Sequence, residues 1–452
     1  MIEDLARNAT EFCNELLTEV QTLKKENRWR EVIASINEFK PNSFNYNTQT
    51  GIMNFGNASW QLKQIMTLDQ TLQNEIIDKI KKRDVYIELR KKIADLRGMP
   101  ETQVDFWLAT LIRRIFSESV GKGSDLISVN PLLHTFLNDV IDGPMEWVIT
   151  TYISGIVLNV ERIQLEKEVS LRQPTVLDAE KLLGNTFPSF EFMPHFHTIS
   201  AVLQIETTQK VQPVISPNAS IYALLLLLYG KGSVNVIRTF WKGNSLIRTF
   251  GEVSVGPVQV WNPNEKYTLN KEDEAKLIRF AGRLKSKLPM DEKNGTLITD
   301  SHMGISLARY QDAILKNEDV INRISYAVMG LEALFLKSSE GGELSMRLSQ
   351  RVGKLISAIT EDNIFDIYNT VDNAYEIRSN FVHGSVQSKQ TCDPKIILDK
   401  VLNYLRISIV VFLSVENKDK DQIINLIDHS ILDHSVENKL LEMLSNYLEV
   451  VH

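Results

Sequence analysis

Apolar positions at helical spacing open the chain. Leu5, Phe12, Leu16, Leu17, Val20 and Leu23 recur every three or four residues, and the charge-mixed "KKENRWREV" that follows suits a solvated face, so residues 1–40 read as helix. "PNSFNYNTQTGIMNFGN" (41–57) is rich in Asn, Gly and Ser and reads as turns. Helical patterns return from about Trp60 to Leu96, and from Glu101, just after Pro100, to about Ser119. Near Gly143 the period changes. "EWVITTYISGIVLNV", "HTISAVLQIETTQ", "SVNVIRTFWKG" and "SLIRTFGEVSVGPVQVW" are β-branched and aromatic, broken by Gly, Asn and Pro, which predicts strands. A short helix is expected at "VLDAEKLL". "IYALLLLLY" fits a buried helix or a buried strand equally well.

From "LNKEDEAKLIRFAGRLKSKL" onward the helical period returns and persists. The blocks "SLARYQDAILKNEDVINRISYAVMGLEALFL", "LSMRLSQRVGKLISAI", "IFDIYNTVDNAYEIRSNFVHG" and "DPKIILDKVLNYLRISIVVFLSVE" are joined by short polar segments, the signature of a helical bundle. The expected architecture is α+β and multidomain. It has a mostly helical N-terminal region (1–143), a β-rich middle domain (144–265) and an all-α C-terminal bundle (266–452).

Composition narrows the function classes. Of 452 residues, 43% are hydrophobic and 24% charged, which is ordinary for a soluble protein. "MIEDLARNATEFCNELL" has acids and no apolar run, so no signal peptide is expected, and "YALLLLLY" is too short to span a bilayer. A cytoplasmic, non-membrane protein is the expectation. Two distant cysteines, Cys13 and Cys392, suggest neither a disulfide framework nor a zinc site. Net charge is −7, and residues 301–452 hold 15 Lys and Arg against 21 Asp and Glu. Bulk electrostatics therefore argue against a non-specific DNA coat, and a nucleic-acid substrate would need a local positive groove.

One stretch of the bundle carries candidate chemistry. In "VDNAYEIRSNFVHG", Val371, Ala374, Tyr375 and Val382 mark a buried stripe, with Arg378 on or beside it. A guanidinium there wants a partner or a ligand. Gly384 is a natural residue to end the helix after His383. Residues five apart on a helix point about 140° apart, but at a fraying end His383 could turn back toward Arg378. Arginine as phosphate clamp and histidine as proton carrier suit phosphodiester cleavage. The plainer alternative is a histidine placed favourably against a helix dipole.

"RSNFVHG" resembles the Arg-x4-His signature of the HEPN superfamily, and its surroundings resemble the Apea-like branch. "MGLEALFL", "ELSMRLSQRVGKLI", "YEIRSNFVHG" and "ILDKVLNYLRISIVVFL" follow one another at family-like spacing from about Gly304 to Val415. The resemblance implies a metal-independent endoribonuclease without a cofactor. His383 would act as general acid and base around attack of the RNA 2′-hydroxyl on the adjacent phosphate. Arg378 would stabilise the pentavalent transition state, and Ser379 would orient either group. The products would be a 2′,3′-cyclic phosphate and a 5′-hydroxyl, and DNA would not be cut. It also implies a homodimer with two motifs facing each other, and a toxin-like role in prokaryotic anti-phage defence by abortive infection. The upstream regions would then be a lock or sensor for a phage-derived or nucleic-acid trigger. The competing reading is a non-catalytic HEPN dimer serving as a binding scaffold or partner-regulated module.

Other residues qualify as support. Glu332, in the apolar "VMGLEALFL", wants a cation, with Arg347, Arg351 and Arg378 as available partners. Thr207 to Gly251 contains no acid, and its Arg238, Trp241, Lys242 and Arg248 could form a basic–aromatic face for RNA or be part of a packed strand pair. His195 and His197 have metal-ligand spacing without a third ligand, so no metal site is expected. "GKGS" occurs at 121–124 and 230–233, lacks the upstream glycine of a phosphate-binding loop, and reads as turns.

Overall fold

The computed structural model of the chain describes residues 2–40, 44–54, 59–121, 129–141, 145–178, 199–209, 217–243, 251–253, 265–291, 295–316, 318–384, 393–415 and 419–451. The fold is mixed α+β, with a β-rich middle region and a helical C-terminal part. The opening helix α1 (Ile2–Lys25) buries Leu5, Phe12, Leu16, Val20 and Leu23, with Glu3 and Asp4 in its first turn and Lys24 and Lys25 in its last, matching the helix dipole.

Helix does not continue to residue 40. The chain turns at Asn27, whose φ is 60°, and Glu31–Lys40 forms β1, antiparallel to β4 (Ser59–Leu68) in unbroken register from Glu31↔Leu68 to Lys40↔Ser59. Helix after Trp60 therefore begins late, with α2 (Gln70–Ile80), where the Asp69 side chain accepts from the Leu72 N–H. Both segments hold short β-branched runs. Each became a strand because the other was there to pair with it, a long-range fact that local periodicity does not contain. Two short strands, β2 (Asn45–Asn47) and β3 (Ile52–Asn54), form a hairpin between them. Helices α3 (Asp84–Arg97), α4 (Glu101–Ser119) and α5 (Asn130–Ile141) complete this region, with α4 as expected after Pro100. Cys13 is buried on α1, and burial pushes its thiol pKa up to about 12.

The middle region is an antiparallel sheet. Its strands are β5 (Met145–Ser154), β7 (Arg162–Glu166), β8 (Val169–Arg172), β9 (Ile199–Gln209), β10 (Asn235–Gly243) and β11 (Gly251–Val253), in spatial order β11-β10-β5-β9-β8-β7. Alternation gives it two buried faces. Ile149, Ile153, Leu203 and Trp241 join the main core. Tyr152, Val202 and Phe240 are covered by Met53 and Tyr46 of the N-terminal hairpin. Of the expected "VLDAEKLL" helix, residues 176–178 are helical and the rest lies outside the described residues. So do His195, His197 and Cys392.

"IYALLLLLY" is helix: α6 (Pro217–Tyr229). It is apolar all round because sheet and bundle enclose it, and Leu224 through Leu228 are buried. A strand just past the expected domain boundary, β12 (Tyr267–Leu269), pairs in parallel with β6 (Ile156–Leu158), so the sheet side extends beyond residue 265.

The bundle comprises α7 (Asp273–Leu284), α8 (His302–Leu315), α9 (Val320–Phe335), α10 (Leu344–Ser357), α11 (Ile364–His383), α12 (Pro394–Ser414), α13 (Lys420–Leu432) and α14 (His434–Val451). The block expected as one helix before "LFL" is two, α8 and α9, divided where Asp319 caps α9 by accepting from the Ile321 and Asn322 N–H groups. The long apolar α12 packs against α8, α9, α10, α11 and α14. One continuous cluster of buried side chains runs from Leu5 to Tyr447. Among the described residues no helix is long and apolar enough to cross a membrane.

Candidate active site at the end of helix α11

Helix α11 starts at Asn363, whose side chain accepts from the Phe365 N–H, and stops after His383. Gly384 takes φ 64° and its N–H returns to the Asn380 and Phe381 carbonyls. That left-handed turn is what a glycine permits without a Cβ penalty. The buried face is Ile367, Thr370, Val371, Ala374 and Ile377. Tyr375 borders it, but Val382 does not belong to it: Val382 and its neighbour Phe381 are exposed.

Arg378 lies at the edge of this face, its side chain 25% exposed. Its Nη2 donates to Glu332 Oε2 at 3.4 Å, and its guanidinium carbon is 5.9 Å from the centre of the Tyr375 ring. Its Nε is buried with no hydrogen-bond partner. One long bond leaves most of a five-donor fork uncommitted. Glu332 projects from α9 between buried Leu331 and Leu334. Burial raises its carboxyl pKa, and the nearby Arg378 charge lowers it by less. Of the three arginines available in the sequence, Glu332 pairs with Arg378.

The other two are occupied elsewhere. Arg351, 2% exposed, bonds Asp428 through Nε and Nη2, both at 2.8 Å, and Glu340 and the Phe335 carbonyl through Nη1. Arg347 lies 3.7 Å from Glu340. These groups tie α10 to α13 and to the loop after α9, so Arg347 and Arg351 support the packing of the bundle rather than Glu332. Glu340 and Asp428 were not singled out from the sequence, and Tyr375 only as part of the buried stripe. The usable signal was Arg351 itself, set among the apolar Leu348, Val352 and Leu355 of one helix.

His383 is exposed and helical. The helix does not fray before it, so it does not turn back. Five residues of regular helix separate it from Arg378 by about 140° around the axis and about 7.5 Å along it. Within one chain the two side chains leave the helix in different directions. Ser379 is half-buried beside Arg378. Phe381 and Val382, three and four residues on, share the side of the helix that carries Arg378. The result is a cation flanked by exposed apolar groups, with an accessible imidazole at the helix end.

The acid-free stretch gives a different outcome. Arg238 and Trp241 are 6% and 8% exposed within β10, and the Arg238 guanidinium packs 5.2 Å from the Phe240 ring. These two residues pack inside the sheet and do not offer a solvent-facing basic–aromatic strip. The side chain of Lys242 and all of Arg248 lie outside the described residues. Among the described residues no cluster of three or more His, Cys, Asp and Glu side chains is arranged to hold a metal ion. Comparison with protein-family models, curated proteins and solved structures finds no match to this chain.

Proposed function

We propose that this chain is a metal-independent endoribonuclease of the HEPN type, in which Arg378 binds the scissile phosphate and His383 moves the proton. The observation that carries the reading is the end of α11. An under-committed guanidinium borders solvent there, and a histidine stands on the last helical residue before a left-handed glycine. The motif's resemblance to the HEPN signature supplies the reaction class.

Because Arg378 and His383 diverge on one helix, the reading requires two copies. In an isologous dimer the α11 ends face each other, and Arg378 can share a phosphate with the partner's His383. The exposed Phe381 and Val382 are the apolar surface such a contact would cover. His383 then takes the proton of the 2′-hydroxyl as it attacks phosphorus and returns a proton to the departing 5′-oxygen. Arg378 stabilises charge on the equatorial oxygens, and Ser379 helps to hold the phosphate. Glu332 orients Arg378 from beneath. The cellular role proposed with this chemistry is a toxin-like effector in anti-phage defence, held silent by the upstream regions until a trigger arrives.

The Arg378–Glu332 pair also favours a second reading, a non-catalytic dimer in which the arginine only locks α11 to α9. End-labelled RNA incubated with the purified protein in EDTA separates the two. The enzyme reading expects 2′,3′-cyclic phosphate ends, no cleavage of DNA, and loss of cleavage in both Arg378→Ala and His383→Ala. The double variant should be hardly worse than either single, since groups acting as a unit are non-additive. Wild-type cutting by the folded double variant would remove this site from the mechanism.

A further inference from the structure

A cavity of about 370 Å³ lies where the middle region meets the bundle. It opens between the Gly230–Ser233 turn that leaves α6, Glu265 ahead of β12, and helices α8, α9 and α12. It shares no lining residue with the Arg378 cluster. Four cations border it, Lys231, Arg323, Lys395 and Arg406, against two acids, Glu265 and Asp399.

We propose that this cavity binds a small phosphate-bearing ligand of nucleotide size. The two inner arginines carry the argument. Arg323 Nε donates to the Ala313 carbonyl at 2.6 Å, while its Nη2 is buried without a hydrogen-bond partner. Arg406 donates to the Leu228 carbonyl at 2.9 Å and to Asn403 Oδ1 at 3.1 Å, while its Nε is likewise buried and unpaired. Neither forms an ion pair among the described residues. Half-buried guanidiniums with neutral partners only are held at a cost that a bound anion would offset. Glu265 accepts from Ser233 Oγ at 3.2 Å, and Asp399 sits at the solvent rim one helical turn from Lys395.

Lys231 is set at the mouth by close packing. A Cβ on Gly230 or Gly232 would come within 2.6 or 2.8 Å of the Tyr267 ring, so only glycine lets this turn lie against the ring and present the lysine between them. The "GKGS" turn thus gains a role as one wall of a cationic cavity, without being a phosphate loop of the P-loop kind. Apolar side chains line the cavity as well: Ile314 and Tyr310 from α8, and Leu398 and Leu402, which lie between Lys395 and Arg406 along α12. Such a mixed lining suits an amphiphilic anion, its phosphates on the arginines and its base or sugar against the apolar side chains. The volume falls within the range of about 300–1,000 Å³ usual for small-molecule sites.

The test is titration calorimetry on the full chain with ATP, AMP and pyrophosphate as probes, alongside Lys231→Glu and Arg323→Gln. Binding of a nucleotide more tightly than pyrophosphate is expected. Removing one charge-assisted contact should weaken it about tenfold or more in either variant. Arg378→Ala should bind as the wild type does, which keeps this site apart from the RNase reading. No heat with any probe at about 1 mM overturns the proposal, as does unchanged binding in Lys231→Glu, a change on an exposed turn that the fold should tolerate. Pyrophosphate binding that is not improved by a nucleoside overturns the size class.

Discussion

Arg378 and Glu332 sit in a balance that protonation can tip. Burial raises the Glu332 carboxyl above its ordinary value of 4.5, so the folded chain holds this proton more tightly than the unfolded one does. The sign follows: below pH 4.5 the group costs nothing, and its ionisation subtracts stability as pH rises through the raised value. Glu332→Gln, which keeps the shape and an acceptor for Arg378, should be at least as stable as wild type at pH 7, with the advantage shrinking in acid. A neutral-pH melting point several degrees lower than wild type would mean that the ion pair outweighs the burial. At this scale the sequence is partly legible. Gly384 marks the helix end because the left-handed cap is a local demand. Which arginine meets Glu332 is not local: it depends on how α10 and α11 each pack on α9. The exposure of Val382 was likewise hidden, since its spacing matches the buried stripe and only the end of the bundle decides what covers it.

Helices α10 and α13 are joined by a buried charge cluster rather than by apolar contact alone. Arg351 holds the Glu340 carboxyl down to about 2. A depressed carboxyl contributes stability that is present above its ordinary value of 4.5 and is lost as pH falls toward 2. Arg351→Met should remove that acid-dependent step and lower stability at pH 7 by about 3–5 kcal/mol, because two carboxylates lose their shared cation. Urea denaturation across pH, followed by circular dichroism, measures both; an Arg351→Met protein as stable as wild type at pH 7 would refute the claim. Elements differ in how readable they are. The helices α4 and α11 announce themselves by period and caps. "EVIASINEFK" does not announce a strand, since its partner lies beyond a turn-rich segment. "IYALLLLLY" loses its helical stripe because both of its sides are buried.

The β-rich middle region and the helical C-terminal part stand in the fold as the texture of the sequence suggests, and most of the buried apolar side chains, from Leu5 to Tyr447, join one cluster. Residues 44–54 pack on the middle sheet, with Tyr46 Oη donating to the Ser200 carbonyl at 2.7 Å, and β12 pairs back onto β6. Boundaries drawn at changes of period miss such crossings, because period records local structure and not what packs on it. The chain should therefore unfold in one cooperative step. The six tryptophans all lie at or before Trp261, so their fluorescence reports the first two regions, while helical circular dichroism is weighted toward the bundle. The two signals should coincide in urea; separate midpoints would show independent units.

Helix α6 has one more consequence, in the order of synthesis. Its last carbonyls, Leu226, Leu227 and Leu228, are met by Tyr267, Tyr310 and Arg406 from later elements. Arg406 follows Tyr229 by 177 residues, which at about 5–20 residues per second is a wait of roughly 9–35 s on the ribosome. The middle region emerges long before the groups that finish it. A nascent chain cut short before residue 406 leaves α6 incomplete, and it becomes a substrate for chaperones and proteases rather than a stable fragment.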